Sequence, residues 1–377
     1  MTSCLCGASC LCGASCCGNN TSYWRIGLPN PPTLHDVAAK AGVAVTTVAR
    51  VVNEKGYVAD ATRKKVLAAI EVTGYRVNSL ARTLKSSRSK ILGHLLASTV
   101  PNPFFVKVAR GVEAHALSRG YNTLTYNVQT QAEAERRGID TFLGWRADAL
   151  IFSTPVSSAN VEYAIKNQVP VVQVERPRSD LAHQITVRNY DAALMAMKHL
   201  TELGHRSIAY IGPAPGGLKN ELADYVESER VDAYRDAMKN ISSLAPDLIF
   251  FGDAYELDVT TAQGHGYRAT QELLARPNRP TAIMAGNDIL AAGAYQAIHE
   301  AHLRVPDDIS VVGFDDTLAE FLTPLLSTVR LPARRLGEAA ARIAIDQIES
   351  GQTRNPERIQ LDAEFIPRKS TAAPATR

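Results

Sequence analysis

Four stretches of the chain place polar or aromatic side chains directly behind an apolar run. PVVQVE ends on Glu175 and continues with Arg176. AIMAG is followed by Asn287 and Asp288, SVVGF by Asp315 and Asp316, and ILGHLLAS by Pro101, Asn102, Pro103, Phe104 and Phe105 shortly after. Carboxylates, an amide and a guanidinium can hydrogen-bond the polar edge of a small molecule, and aromatic rings can lie against its apolar face. Singly, Asp288 or Asp315 reads as a helix cap. Together, behind strands, these residues suggest a cleft that clamps a small polar ligand.

Other chemistries lack their residues. No Gly-rich phosphate loop follows the first apolar strand, no GxSxG elbow occurs, and no His pair has metal-ligand spacing. All six cysteines fall in the first 17 residues, where CLCGAS occurs twice in succession. That cluster meets no structural-zinc spacing and has no His nearby. It also lacks the basic and long apolar regions of a secretory signal. Residues 1–32 are expected to form a disordered, Cys-rich, low-complexity extension. The rest of the chain has no Cys, so no disulfide framework holds it, which suits a reducing cytosol. No cofactor, metal or membrane partner is expected, and no apolar run is long enough to span a bilayer.

The elements that position the strand-end residues alternate. Candidate strands at 91–98, 121–127, 148–154, 170–175, 207–212, 280–286 and 309–315 are separated by stretches apolar at i, i+3 and i+4, such as FVKVARGVEAHALSRG and YDAALMAMKHLTELG. This alternation implies an α/β architecture with parallel sheets covered on both faces, and the length suits two lobes.

Ahead of it lies a small basic module. Residues 33–90 carry 11 Lys and Arg against 4 Asp and Glu, whereas residues 91–377 carry 29 against 34. Concentrated positive charge is the footprint of a polyanion partner. Thr33 and Asp36 form a capping-box pattern, and Leu34, Val37, Ala38 and Ala41 share a helical face that ends at Gly42. AGVAVTTVARVVN then turns the chain into a second short helix, about Val45 to Val52. Its Val48, Val51 and Val52 face the first helix, and Val45, Thr46, Thr47 and Arg50 face outward. An αα-hairpin without a ligand fits this periodicity as well. Asp60 is expected to cap a third helix that ends at Gly74, with Val66, Ala69 and Ile70 buried. A marginal helix over 78–84 precedes the linker KSSRSK.

PTLHDVAAKAGVAVTTVARVVN, followed by VADATRKKVLAAIEVTGYRVNSLARTLKSSRSKILG, resembles the headpiece and hinge of the lactose-repressor/galactose-repressor family of bacterial transcription factors, and the likeness continues from about Thr33 to Pro367. The resemblance implies an all-α helix-turn-helix headpiece over 33–77, a hinge helix and linker over 78–90, a two-lobed periplasmic-binding-protein-like α/β effector and dimerisation domain over 91–367, and a tail over 368–377. It implies that Val45, Thr46 and Arg50 reach base edges in the major groove, that Thr47 and Asn53 contact the backbone, and that Leu84 wedges into the minor groove. It assigns the effector site to Phe104, Phe105, Asp191, Arg230, Asn287, Asp288 and Asp315.

The sequence departs from the family in three places. Ala44 and Ala49 stand where serine is frequent, and loss of the Ala44 cap would cost about 1 kcal/mol of helix stability. AYELDVTTAQGHGY, after Asp253, is an insertion in which Tyr255 offers an aromatic face.

The expected function is a non-enzymatic regulator, a repressor, that binds operator DNA as a homodimer and responds to a sugar or sugar derivative. Two alternatives stand beside it. One is a regulator answering a nucleobase, as activator or co-repressor-dependent repressor. The other is a transport-type solute-binding protein, which would need a secretory signal and would not carry residues 33–90.

Overall fold

The computed structural model describes residues 31–53, 56–76, 88–96, 103–129, 131–213, 225–241, 248–252, 259–351 and 355–375. The Cys-rich segment 1–30, Pro101, Asn102, Tyr255, and the hinge stretch 77–87 with Leu84 lie outside the described residues. The chain divides into two compact units, 1–82 and 83–377.

In the first unit, α1 (Leu34–Ala41), α2 (Val45–Val52) and α3 (Asp60–Thr73) enclose a small core. One fully buried valine comes from each: Val37, Val48 and Val66. Branching at Cβ is tolerated in so short a helix as α2 because packing in this core outweighs a weak intrinsic preference. The capping box at Thr33 forms, with the Thr33 N–H donating to Asp36 at 2.7 Å and the Asp36 N–H donating to the Thr33 hydroxyl at 3.4 Å. Gly42 ends α1 in the left-handed conformation, φ 65°. Two expectations need correction. Asp60 is the first helical residue of α3 rather than its cap, and Ala59 at the cap position makes no side-chain bond. Val45 does not point wholly outward, because it is half-buried against the core together with Val52.

In the second unit, one lobe holds β1 (Ile91–Leu96), β2 (Asn122–Asn127), β3 (Ala149–Ser153), β4 (Val171–Val174), β5 (His183–Val187) and β11 (Arg358–Leu361), all parallel, in the order β11-β5-β4-β3-β1-β2. The other lobe holds β6 (Ile208–Pro213), β7 (Ile249–Gly252), β8 (Ala282–Ala285), β9 (Ser310–Asp315), β10 (Ser327–Arg330) and β12 (Glu364–Ile366), in the order β12-β10-β9-β8-β6-β7, with only β12 antiparallel. Each lobe thus repeats one doubly wound order, and its switch point lies between its first and third strands. The chain crosses between lobes after β5, after β10 and between β11 and β12.

The helices between strands are α4 (Pro103–Ser118), α5 (Ala132–Gly144), α6 (Ser158–Lys166), α7 (Asn189–Glu202), α8 (Tyr225–Lys239), α9 (Val259–Leu274), α10 (Asp288–Glu300) and α11 (Ala333–Ser350). The second half of the insertion therefore opens α9. In each lobe two helices touch backbone to backbone at glycine. A Cβ at Gly337 of α11 would stand 2.0 Å from the Val108 carbonyl oxygen of α4, and one at Gly293 of α10 would stand 2.0 Å from that of Gln263 in α9.

All seven expected strands form, within two residues of their expected bounds. β5, β7, β10, β11 and β12 were not anticipated, being three to five residues long and, in HQITV and STVR, opening on polar residues. The tail after Pro367 is fastened to the second lobe. Ser370 is fully buried, accepts from the Ser327 N–H at 2.7 Å and donates to the Val311 carbonyl at 2.6 Å. Ala372 accepts from the His205 ring at 2.9 Å.

Gly337→Ala must push α11 away from α4, and overpacking of this kind costs about 1–3 kcal/mol. Chemical denaturation should show that loss for Gly337→Ala and none for Gly144→Ala, since a Cβ at Gly144 meets nothing within 4 Å.

Candidate DNA-reading helix and effector cleft

On α2, Thr46 and Arg50 are exposed, while Val45 and Thr47 are half-buried. Asn53 closes the helix, its side-chain amide donating to the Ala49 carbonyl at 2.6 Å. Ala44 caps α2 without a side-chain hydrogen bond, as its methyl group requires. The exposed surface of α2 is small-chained apart from Arg50, a shape that a major groove admits, and Arg50 carries the forked donors that match guanine.

In the second unit the carboxyl ends of the strands converge on the guanidinium of Arg230, on α8. It is buried. Its Nε and Nη2 donate to Asn189 Oδ1 at 3.0 and 2.9 Å, and Nη1 donates to the Gly286 carbonyl at 2.8 Å. Asp315 Oδ1 lies 4.0 Å from Nη2, and the Phe314 ring lies beneath, 3.9 Å from the guanidinium carbon to the ring centroid. Asn189 follows β5 at a lobe crossing, Gly286 follows β8, and Asp315 ends β9. One turn earlier on α8, Glu227 pairs with Arg176, which follows β4 of the first lobe; the second bond, Arg176 Nε to Glu227 Oε2, is 3.2 Å. Lys107 of α4 reaches across to the Asp316 carbonyl at 2.8 Å.

The backbone at these strand ends is unusual. Thr154, Glu175, Arg176, Asp315 and Asp316 all have positive φ, from 42° to 97°. Side chains with a Cβ seldom adopt that region, and such strain gathers where a site holds polar groups in a set direction. Glu175 is buried and accepts the Val187 N–H at 2.8 Å. Burial pushes its carboxyl up to about 7, against the pull of Arg176 and Arg230.

Not all the expected effector residues meet here. Arg230 and Asp315 come together. Phe104 and Phe105 are buried in the first turn of α4, edge to face with centroids 5.3 Å apart. Asn287 half-faces solvent and caps α10, accepting from the Leu290 N–H at 2.8 Å. Asp288 is fully buried, with Oδ1 accepting from the Thr328 hydroxyl at 2.7 Å and Oδ2 from the Thr317 and Leu318 N–H groups at 2.7 and 3.0 Å, so its carboxylate fastens the loop after β9. Burial raises its pKa, and those three donors oppose the rise. Asp191 is exposed, and the residue of that junction which meets the guanidinium is Asn189.

The helix-turn-helix stretch, residues 33–78, matches the family model for bacterial regulatory proteins of the lacI family, and residues 197–371 match the periplasmic binding protein-like domain. The ribose operon repressor of Escherichia coli K12 is 34% identical over 346 residues, covering 90% of this chain and 99% of the relative. The chain belongs to the lacI family. The HTH-type transcriptional repressor PurR of Escherichia coli is 31% identical over 348 residues, covering 90% and 97% of the two chains. Among solved structures, a lac repressor dimer bound to operator and the anti-inducer ONPF superposes with TM-score 0.77 at 28% identity, covering 91% of this chain and all of that one. A CelR–cellobiose complex gives TM-score 0.65 at 27% identity, covering 90% and 99%.

Sequence reasoning passed over Asn189 and Glu227 in this lacI-family chain. Asn189 follows a strand that was not anticipated. Glu227 stands three residues before Arg230, a spacing that puts both on one helix face and was the available signal.

Because the Glu175 carboxyl titrates higher in the fold than its ordinary 4.5, the stability it contributes is present below that value and is lost as pH rises through about 7. Glu175→Gln should flatten the decline in unfolding free energy between pH 5 and 8, by on the order of 3 kcal/mol at most. Identical pH profiles for variant and wild type would contradict the burial of an acid there.

Proposed function

We propose that this lacI-family chain is a non-enzymatic transcriptional repressor. It reads operator DNA through α2 as a homodimer and responds to a small polar effector, a sugar or sugar derivative, held between the lobes of its second unit. The observation that carries this is the buried guanidinium of Arg230, which joins the strand ends of the cleft through Asn189 and Gly286 and faces Asp315. That guanidinium holds the strand ends in place and sets the Asp315 carboxylate beside them, where it can accept from a ligand hydroxyl. The most similar relatives include a ribose operon repressor, and a regulator from Enterococcus faecium at 25% identity and TM-score 0.63 was solved with bound ribose. Those ligands support the sugar reading for this chain.

Three measurements test it. Arg50→Ala should weaken binding to the chain's own upstream region by about 1–3 kcal/mol and relax preference at one base pair; unchanged affinity would refute the assignment of α2. In thermal unfolding, a pentose or hexose at 100 times its Kd should stabilise the protein by about 2.7 kcal/mol. Asp315→Ala should weaken that ligand roughly 10- to 100-fold, the loss of one charge-assisted hydrogen bond. Stabilisation by nucleobases and by no sugar would favour the second reading, for which the likeness to PurR speaks.

A further inference from the structure

The two buried guanidiniums of the cleft are already engaged, and the Lys107 ammonium is exposed and donates to the Asp316 carbonyl. Arg176 is taken by Glu227, which is 1% exposed, so both members of the pair are out of water. Arg230 is engaged by Asn189 and Gly286 and faces Asp315. Moving a guanidinium onto an incoming anion would draw it away from Glu227 or Asp315 inside the protein, and weakening the compensation of a buried charge is unfavourable.

Beside the Asp315 carboxylate, which repels an anion, the buried polar groups left over at the strand ends are neutral. The hydroxyls of Tyr210 and Thr154 are buried and have no hydrogen-bond partner among the described residues. Tyr210 is wholly buried, on β6. Glycines stand over it at the carboxyl ends of β6 and β8: a Cβ at Gly212 would be 2.6 Å from the Tyr210 oxygen, and one at Gly286 would be 3.3 Å from it. Any other residue at Gly212 would cover that hydroxyl. Burial also keeps the proton on the phenol, raising its pKa. Thr154 sits at the end of β3 in the opposite lobe, beside the switch point, with φ 59°. A neutral hydroxyl can donate to and accept from a ligand hydroxyl, whereas it offers an anion one donor and no charge.

We infer that the cleft selects an uncharged polyhydroxyl ligand, and that Glu227 is the specificity-determining residue: by holding Arg176 it excludes sugar phosphates and other anions. This rests on the cleft between the lobes being the effector site. Glu227 does not need to touch the ligand to do this. It acts by occupying a guanidinium that would otherwise receive a phosphate bidentately.

Calorimetry on the intact protein tests the exclusion. Inorganic phosphate and ribose 5-phosphate are titrated, at constant ionic strength, into the full chain and into Glu227→Gln. Wild type should bind neither saturably. Glu227→Gln should bind both saturably, at least about 10-fold more tightly than the weakest affinity the wild-type titration could still detect, and adding Arg176→Met to it should abolish the gain, a fold-change matching one charge-assisted contact. Saturable binding of ribose 5-phosphate to wild type, lost in Arg176→Met, would overturn the inference, as would a folded Glu227→Gln with no gain. If Glu227→Gln does not fold, the wild-type titration decides alone, since phosphate binding there contradicts the exclusion and its absence supports it. Failure of every sugar to stabilise wild type counts against the effector reading, while this titration still reports on anion exclusion.

Discussion

A guanidinium removed from water must be surrounded by acceptors or it unfolds what holds it. Arg230 meets that demand by drawing on three separate strand ends and a ring: Asn189 at the lobe crossing, the Gly286 carbonyl, Asp315, and Phe314 underneath. Much of the cleft follows from it. Gly286 must offer its carbonyl rather than a side chain, and Asp315 accepts a left-handed backbone, φ 97°, where its carboxylate lies 4.0 Å from the cation. Glu175 stays buried at a carboxyl pushed up to about 7 because Arg176 and Arg230 hold it from rising further. The desolvation of these carboxylates is opposed by the same few cations.

Outside the cleft the two lobes are built alike. Both use one strand order, and both bring a pair of helices into backbone contact at glycine, α4 with α11 and α9 with α10. Such contacts leave little freedom within a lobe, while the chain passes between lobes at only three places. Among the described residues, polar links across the gap include Arg176 with Glu227 and Lys107 with the Asp316 carbonyl. A ligand can shift the lobes only by its differential affinity for two arrangements, and groups already engaged across the gap set the starting point.

Much of this was legible in the residues. Helix boundaries in the first unit followed from Thr33, Asp36, Gly42 and Gly74, because caps and left-handed glycines are local chemistry. The long apolar strands read directly. The short strands that complete each sheet did not, since HQITV or RIQL gains its place only from the neighbour it pairs with. Arg230 and Asp315 were found together. Asp288 and Asn287 were grouped with them because a residue behind a strand can face the cleft or turn back to fasten the fold, and only three-dimensional partners distinguish the two. Asp191 is exposed, and Asn189, two residues before it at the start of α7, is the side chain that meets Arg230, a difference of about half a helical turn that the sequence does not resolve.

The claim on which the rest depends is that Arg230 and Asn189 act as one unit tying the lobe crossing to the cleft. A double-mutant cycle in urea, with Arg230→Met, Asn189→Ala and the double variant, measures it directly. The account predicts a coupling of about 1.5 kcal/mol or more, as two hydrogen bonds from a cation to one amide oxygen require. Additive losses, with a coupling indistinguishable from zero, would contradict it.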